Sequence, residues 1–360
     1  MDFSLLEEIK KTNPNNLMAK YFSKDYYLSL SFTDQKRFEK IIASGVQNPN
    51  SQMGAYAMNA NDYKDFTPFF DQLIRNYHGI KENIKIEQIH DWDFSDISCD
   101  LAAIDEELKT VSMRVRVARN ISDFPLPGAM SKQQRLDFET LAIKAFVKLG
   151  TYKGFSGKYL SITPNSPFEI SAKEYLRRVE KHQMFKDMSN DAYLNSAGIS
   201  NDWSHGRGMY ITRSEDFIVW VGEEDHLRIM CMQKGGDLGA MFEKLHKGLE
   251  ILGNILPEFA NSKTYGNLTS CPSNLGAGMR ASLHMFLPNI TNNGTNLTQL
   301  KDEAKKLGLA VRGAGGEHSD AGSDGLVDIS PNARLGVSEK EIMLRLYNGV
   351  KDLWKIEKSL

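Results

Sequence analysis

Two stretches of this chain alternate polar and apolar residues so that arginines would line up. In Ser112-Met113-Arg114-Val115-Arg116-Val117, a strand puts both guanidinium groups on one face and Met113, Val115 and Val117 on the other. In Arg280-Ala281-Ser282-Leu283-His284-Met285, the same period gathers Arg280, Ser282 and His284 opposite Leu283 and Met285. Either pattern alone also describes any half-buried strand with a solvated outer face. Together with Arg228 and Arg312 they supply several planar forks of fixed positive charge, the side chain best suited to gripping phosphate oxygens in pairs. A triphosphate would suit such a set.

Carboxylates concentrate in Glu223-Glu224-Asp225-His226, where a solvated acidic turn, a metal site and a site for a cationic group are all open readings. Glu317-His318 allows the same readings. Cys271 precedes Pro272-Ser273-Asn274; it reads either as a small buried hydrophobe or as a thiolate served by the amides and hydroxyl of a turn. Gly313, Gly315 and Gly316 follow Arg312, but in neither the dinucleotide nor the P-loop spacing. Asp237, after Lys234-Gly-Gly, reads as a helix cap.

Positioning these residues requires a scaffold of helices and strands. The N-terminal part reads as short helices; Thr67-Pro68 looks like a cap and first-turn proline ahead of Phe69, Phe70, Leu73, Ile74 and Tyr77, with Gly79 as the stop. Weak periodicity over 81–107 marks a linker region. Ser131 with Gln134, Ser171 with Glu174 and Ser338 with Glu341 have capping-box spacing. The β-rich runs at Gly208–Thr212, Phe217–Val221 and Leu227–Met232, joined by polar turns, read as neighbouring antiparallel strands. The class is α+β: a small all-helical N-terminal domain (1–90), a linker (91–110) and a larger domain (111–360) with an antiparallel sheet flanked by helices.

Composition narrows the partners. Lysine and arginine number 44 against 46 acids in 360 residues, a formal charge of −2, so no bulk positive field invites nucleic acid. No run approaches the roughly 20 apolar residues of a membrane span, and the first residues have no leader pattern, so the expectation is a cytoplasmic protein. Cys99, Cys231 and Cys271 lack disulfide or zinc spacing and are expected to be reduced.

In order and at matching intervals, SMRVRVARN, GEEDHLRIMCMQKGGDL, CPSNLGAGMRASLHMFLP and VRGAGGEHSDAGSDGLVDIS resemble the phosphagen (ATP:guanidino) kinase family. The likeness extends to ASGVQNPNSQMGAYAMNANDY, NYHG and the terminal helix, nearly the whole chain. The resemblance implies that the active site lies between the two domains. It implies ATP or ADP held by Ser112, Arg114, Arg116, His182, Arg228, Arg280, His284 and Arg312. It implies Mg2+ carried mainly by phosphates and water, with no protein metal ligand. It implies a guanidino acceptor held by Glu224 and Glu317, with Cys271 beside it and Ser51, Met53, Gly54 and Tyr56 shaping a loop; Glu224, Glu317, Cys271 and Arg228 are the expected catalytic set.

Glu317 within GGEH and the short SQMGAY loop resemble the arginine-specific members, so L-arginine is the expected acceptor, with taurocyamine or a similar compound as the alternative. A sensor that kept the fold without catalysis is the alternative of another class. The chain departs from the arginine-specific pattern at Gln52 and Met53, and at Gly222, where an asparagine is familiar. Asn50 and Ala192 stand where an interdomain aspartate–arginine pair is common. Monomer and homodimer are both compatible with the sequence.

Overall fold

The computed structural model describes residues 1–95, 97–313 and 325–360. The N-terminal part holds α1 (Phe3–Thr12), α2 (Leu17–Tyr21), α3 (Lys24–Ser29), α4 (Phe32–Gln47), α5 (Asp62–Asp65) and α6 (Thr67–His78). Side-chain oxygens of Asp2, Asn16, Ser23 and Ser31 accept first-turn backbone N–H groups and start α1 to α4. The start of α6 differs from the expectation: Thr67 is its first helical residue, not its cap, and its hydroxyl donates to the carbonyls of Tyr63 and Lys64. Gly79 ends α6 in the left-handed conformation, φ 67°. The apolar faces meet around Phe38, Phe66, Phe69, Phe70 and Leu73.

Next come β1 (Ser112–Arg119), α7 (Lys132–Leu149), β2 (Gly157–Ser161), α8 (Ala172–Glu180), α9 (Ala192–Ser196), β3 (Gly208–Thr212), β4 (Phe217–Val221) and β5 (Leu227–Lys234). The remainder is α10 (Leu238–Ile255), β6 (Asn261–Ser262), β7 (Gly266–Asn267), β8 (Met279–Phe286), α11 (Thr298–Lys306), β9 (Leu309–Gly313), β10 (Leu326–Pro331) and α12 (Glu339–Ser359). Among the described residues one antiparallel sheet of eight strands runs β2-β3-β4-β5-β1-β8-β10-β9. The three neighbouring strands expected between 208 and 232 are β3 to β5. Ser131/Gln134 and Ser338/Glu341 form reciprocal capping boxes. Ser171 caps α8 in one direction only, because the Glu174 carboxylate turns to Arg177 and Arg178.

One face of the sheet is apolar. Val115 and Val117 of β1, Ile229 and Cys231 of β5, Leu283 and Met285 of β8 and Val327 and Ile329 of β10 pack against Phe138 of α7, Phe242 of α10 and Leu346 of α12. Each large apolar side chain so buried contributes about 1.5–3 kcal/mol, which fixes the face that the other side of the sheet presents outward. Phe94, Cys99, Leu101 and Leu108, within or beside the stretch read as a linker, belong to this same core.

The helical N-terminal part docks on the rest through its own core, which takes in Leu126, Ile199, Tyr265, Leu268, Cys271, Leu275 and Leu335. Hydrogen bonds reinforce the contact: Tyr63 donates to the Thr269 carbonyl at 2.6 Å and Ala57 N–H to the Ser270 carbonyl at 2.8 Å. Where the expected aspartate–arginine pair is absent, Asn48 donates to Ser196 Oγ at 2.8 Å and to the Ala192 carbonyl at 3.3 Å. Among the described residues no helix is long and apolar enough to cross a membrane.

Candidate functional site

Strand register builds the polar face. Directly paired residues share a face of a sheet, and Arg116 pairs with Arg280, Arg114 with Ser282, and Ser112 with His284 across β1 and β8. Asp328 of β10 pairs with His284 on one side and with Arg312 of β9 on the other. On the other flank of β1, Ala118 pairs with Arg228 of β5, which in turn faces Trp220 of β4. Arg114, Arg116, Arg228, Arg280 and Arg312 therefore occupy a single face spanning β5, β1, β8 and β9. Arg116, Arg228, Arg280, Arg334 and Asn274 line a small hollow on it.

The crowding shows in the charges. Burial, reinforced by Arg228, Arg114 and Arg280, holds the Arg116 guanidinium well below the usual arginine range. Arg280 is lowered to about 10 by burial and by Arg312, Arg334 and Arg114, against the pull of Asp328, with which it pairs at 2.7 Å. Burial also lowers His284, with Asp328 opposing and Arg114, His182 and Arg280 adding to the effect. A bound polyanion would relieve these repulsions.

Two carboxylates stand at the edge of this face. Arg228, 8% exposed, donates to Glu223 at 2.8 Å and to Glu224 at 3.1 Å, and its guanidinium lies 5.9 Å from the Trp220 ring centroid. Burial opposes its charge, but Glu223, Glu224 and Asp225 outweigh it. Glu224 is raised to about 7, by burial first and by Glu223 and Asp225, with Arg228 and Arg116 pulling the other way. Its Oε2 also accepts from Asn274 Nδ2 at 3.3 Å. Asp225 is fully buried and braces the turn: its Oδ1 accepts from Asn120 Nδ2 at 2.7 Å and from Ser270 N–H at 2.8 Å. Glu224 thus already holds one guanidinium, that of Arg228, the chemistry a guanidino compound would present.

Cys271 lies beside these groups, its Sγ 3.0 Å from Ser273 Oγ. Burial, then Glu224, pushes its thiol up to about 12, against the help of Ser273. The sulfur is thus held toward the neutral thiol, not the thiolate that the turn amides and hydroxyl invite; the buried setting and then the anionic neighbour are the reason. A cationic compound between Cys271 and Glu224 would offset the Glu224 contribution, the smaller of the two that raise the thiol.

The loop after α4 belongs to the helical part and shares its apolar cluster with Cys271. Ser51 Oγ accepts from Gly54 N–H at 3.0 Å, Gly45 N–H donates to the Gly54 carbonyl at 2.8 Å, and Gly54 is left-handed with φ 69°. A Cβ on Gly54 would meet Met18 Cβ and Asn16 Oδ1 at 2.8 Å. Met53 is buried in the helical core, and Tyr56 feels the charges of Cys271 and Glu224, which with burial hold its hydroxyl well above the usual range. His182, on the turn after α8, is near enough to His284 to help depress it. Of the expected site residues, Glu317 lies outside the described residues.

The comparisons with known proteins point the same way. The family model described as ATP:guanido phosphotransferase, C-terminal catalytic domain, matches residues 137–360, and that described as its N-terminal domain matches residues 12–75. An arginine kinase of Penaeus japonicus is 35% identical over 356 residues, covering 97% of this chain and 95% of the relative. The chain belongs to the ATP:guanido phosphotransferase family. An arginine kinase of Anthopleura japonica is also 35% identical, over 97% of this chain, but the chain spans only 47% of that longer relative. Among solved structures, the duplicated taurocyamine kinase of Schistosoma mansoni with bound transition-state-analogue components aligns with a TM-score of 0.84 at 30% identity, over 99% of this chain and 48% of that one. Lombricine kinase aligns with a TM-score of 0.79 at 30% identity, over 89% and 85%. The family's fold, a small helical domain and an antiparallel sheet flanked by helices, is the one expected from the sequence.

Sequence reasoning passed over several residues that the fold brings to the site. Trp220 reaches Arg228 only through the β4–β5 pairing. Asn120 holds Asp225 and also accepts the His226 backbone N–H at 2.8 Å. Asn274 was visible only as part of a turn. The alternation of β1 signals none of these, since each depends on which segments become neighbours.

Proposed function

We propose that this chain is a phosphagen kinase that moves the γ-phosphoryl group of ATP reversibly to the guanidino nitrogen of free L-arginine. The observation that carries this reading is the shared edge between the arginine face and Glu224, whose carboxylate already binds a guanidinium and is tuned to about 7. In this reading Arg114, Arg116, Arg228, Arg280 and Arg312 hold the phosphates, with Ser112, His182 and His284 toward the nucleoside. A cleft of about 490 Å³ lies at the end of the sheet where Ser112 and His284 meet Phe286, Leu326 and Trp354, and is of a size to take the base and ribose.

The acceptor is held by Glu224 and Glu317, beside Cys271 and against Ser51, Met53, Gly54 and Tyr56. A guanidinium is a poor nucleophile until it loses a proton, and a carboxyl poised near neutrality can both orient it and accept that proton. The arginines spread the charge of the transferring group while both reactants are held in line. The donor set of the face is cationic and nitrogen-rich. It fits Mg2+ that arrives on the nucleotide's phosphates, where the ion would supply charge neutralisation; among the described residues no cluster of three or more His, Cys, Asp or Glu could hold a metal ion. In this reading residues 1–90 form the substrate-specificity domain and 111–360 the catalytic domain, which carries the nucleotide groups together with Glu224, Cys271 and Glu317 of the acceptor site, joined by 91–110.

Arginine as acceptor is supported by the 35% identity to arginine kinases and by the GGEH and SQMGAY segments. A second reading, another guanidino acceptor, is favoured by the structural likeness to taurocyamine and lombricine kinases. A coupled assay of ADP formation with arginine, taurocyamine, lombricine, creatine and glycocyamine separates them. The largest kcat/KM is expected with arginine; a larger value with any other compound overturns the acceptor, and no acceptor-dependent turnover overturns the kinase reading.

A further inference from the structure

Asn274 occupies a position from which it touches both an arginine and the central carboxylate. Arg334 Nη1 donates to the Ser273 carbonyl at 3.0 Å and to Asn274 Oδ1 at 3.2 Å, and Asn274 Nδ2 donates to Glu224 Oε2 at 3.3 Å. The amide orientation follows from its neighbours: turned over, its oxygen would face a carboxylate and its NH2 a guanidinium. Arg334 is itself anchored, since its carbonyl accepts from Ala277 N–H at 2.9 Å and the adjacent Leu335 is buried in the helical core. Asn274 closes the short turn that begins at Cys271, its N–H donating to the Cys271 carbonyl at 3.1 Å.

We propose that Arg334 and Asn274 are positioning residues, a two-step relay in which the guanidinium orients the amide and the amide orients the carboxylate of Glu224 and favours its charged form. This deepens the proposed function and rests on the role given there to Glu224. Oε2 receives two donors, Arg228 and Asn274. Arg228 is shared with Glu223 and stands on the arginine face, where bound phosphate competes for it. Asn274 is neutral, has no charge for phosphate to attract, and holds Oε2 when Arg228 turns away. The groups that also face Glu224 are Glu223 and Asp225 on its own turn, Arg228 on β5, Arg116 on β1, Cys271 on the neighbouring turn and Tyr56 on the loop after α4. Of the two side chains that donate to Oε2, Asn274 is the one whose removal alters the carboxylate without removing a charge.

A hydrogen bond to an ionised carboxylate lowers its pKa, so removing Asn274 raises that of Glu224. In Asn274→Ala the acid limb of the kcat/KM profile for the guanidino acceptor moves up by about 0.5–1 pH unit, with nucleotide KM changed less than about two-fold. Arg334→Gln, which leaves the amide in place but frees its orientation, moves the limb in the same direction by less, and carries the test if Asn274→Ala does not fold. An unmoved limb in a folded variant, or a loss equal at every pH, overturns the relay. Carboxyl 13C titration of Glu224 in the full chain reads the same shift without turnover. If the parent shows no guanidino turnover the kinase reading fails, while an unchanged Glu224 titration in Asn274→Ala fails the relay by itself.

Discussion

Arg116 of β1 and Arg280 of β8 face each other directly across paired strands. Like charges in that position are destabilising, and here Arg114 and Arg228 add to the repulsion. Among the described residues Arg114 and Arg116 have no hydrogen bond or ion pair to offset it, whereas Arg280 has Asp328. A fold that accepts such a cost at one face has its compensation in what binds there.

Arg116→Met should therefore stabilise the ligand-free protein by about 1–2 kcal/mol while weakening ATP binding by about ten-fold or more. Thermal unfolding with and without nucleotide, and calorimetric titration with ATP, measure both. A destabilised variant with parental ATP affinity would contradict the placement of Arg116.

Glu224→Gln should lower kcat by about 10²-fold or more while nucleotide binding persists. It should also change stability in a pH-dependent way. The folded pKa of about 7 lies above the ordinary carboxyl value, so the group's contribution is intact below about 4.5 and is lost as pH rises through 7. The variant is expected to be more stable than the parent by about 1–3 kcal/mol at pH 8, with the difference vanishing near pH 5. Urea midpoints at the two pH values test it.

Gly222 precedes Glu223 in the left-handed conformation, φ 71°, and its carbonyl accepts from the buried Arg207 Nε at 3.0 Å. Asparagine tolerates that φ, but a Cβ there would lie 2.6 Å from the Gly206 carbonyl oxygen. Gly222→Asn should cost about 1–3 kcal/mol and raise acceptor KM more than nucleotide KM, because the displaced turn carries Glu223 and Glu224. Steady-state kinetics and thermal unfolding decide it; parental values in both would show that the 206 and 222 turns separate freely.

His226 is fully buried, accepts from Ile121 N–H at 3.0 Å, and is lowered to about 4 chiefly by burial. The unfolded chain takes up this proton first, so stability falls as pH drops from about 6.5 to 4, by at most about 3 kcal/mol from this residue. His226→Gln should be less stable than the parent at pH 7 yet show a shallower loss toward pH 4. Parallel slopes in the two proteins would remove His226 from the acid transition.

The alternation in 112–117 and 280–285 was enough to place the arginines on faces, because a strand's period is local. That the two faces are one face was not legible, since it needs the order β5-β1-β8 and a register set by long-range pairing. Capping shows the same division. Ser131 and Ser338 form the boxes their spacing foretells, while Glu174 is taken by Arg177 and Arg178, and Thr67 falls one place inside its helix. Asn274 showed only as part of a turn, for its two partners come from segments about 50 and 60 residues away in the chain.

Tyr265, Leu268, Cys271, Leu275 and Leu335 share one apolar cluster with Phe38, Met53, Tyr56 and Phe70. Exchanging the 51–56 loop between relatives of different acceptor preference would therefore transplant only half of a jointly packed wall. The packing of such a graft is restored when the side chains at 265, 268 and 335 travel with it, because this wall is assembled from segments far apart in the chain.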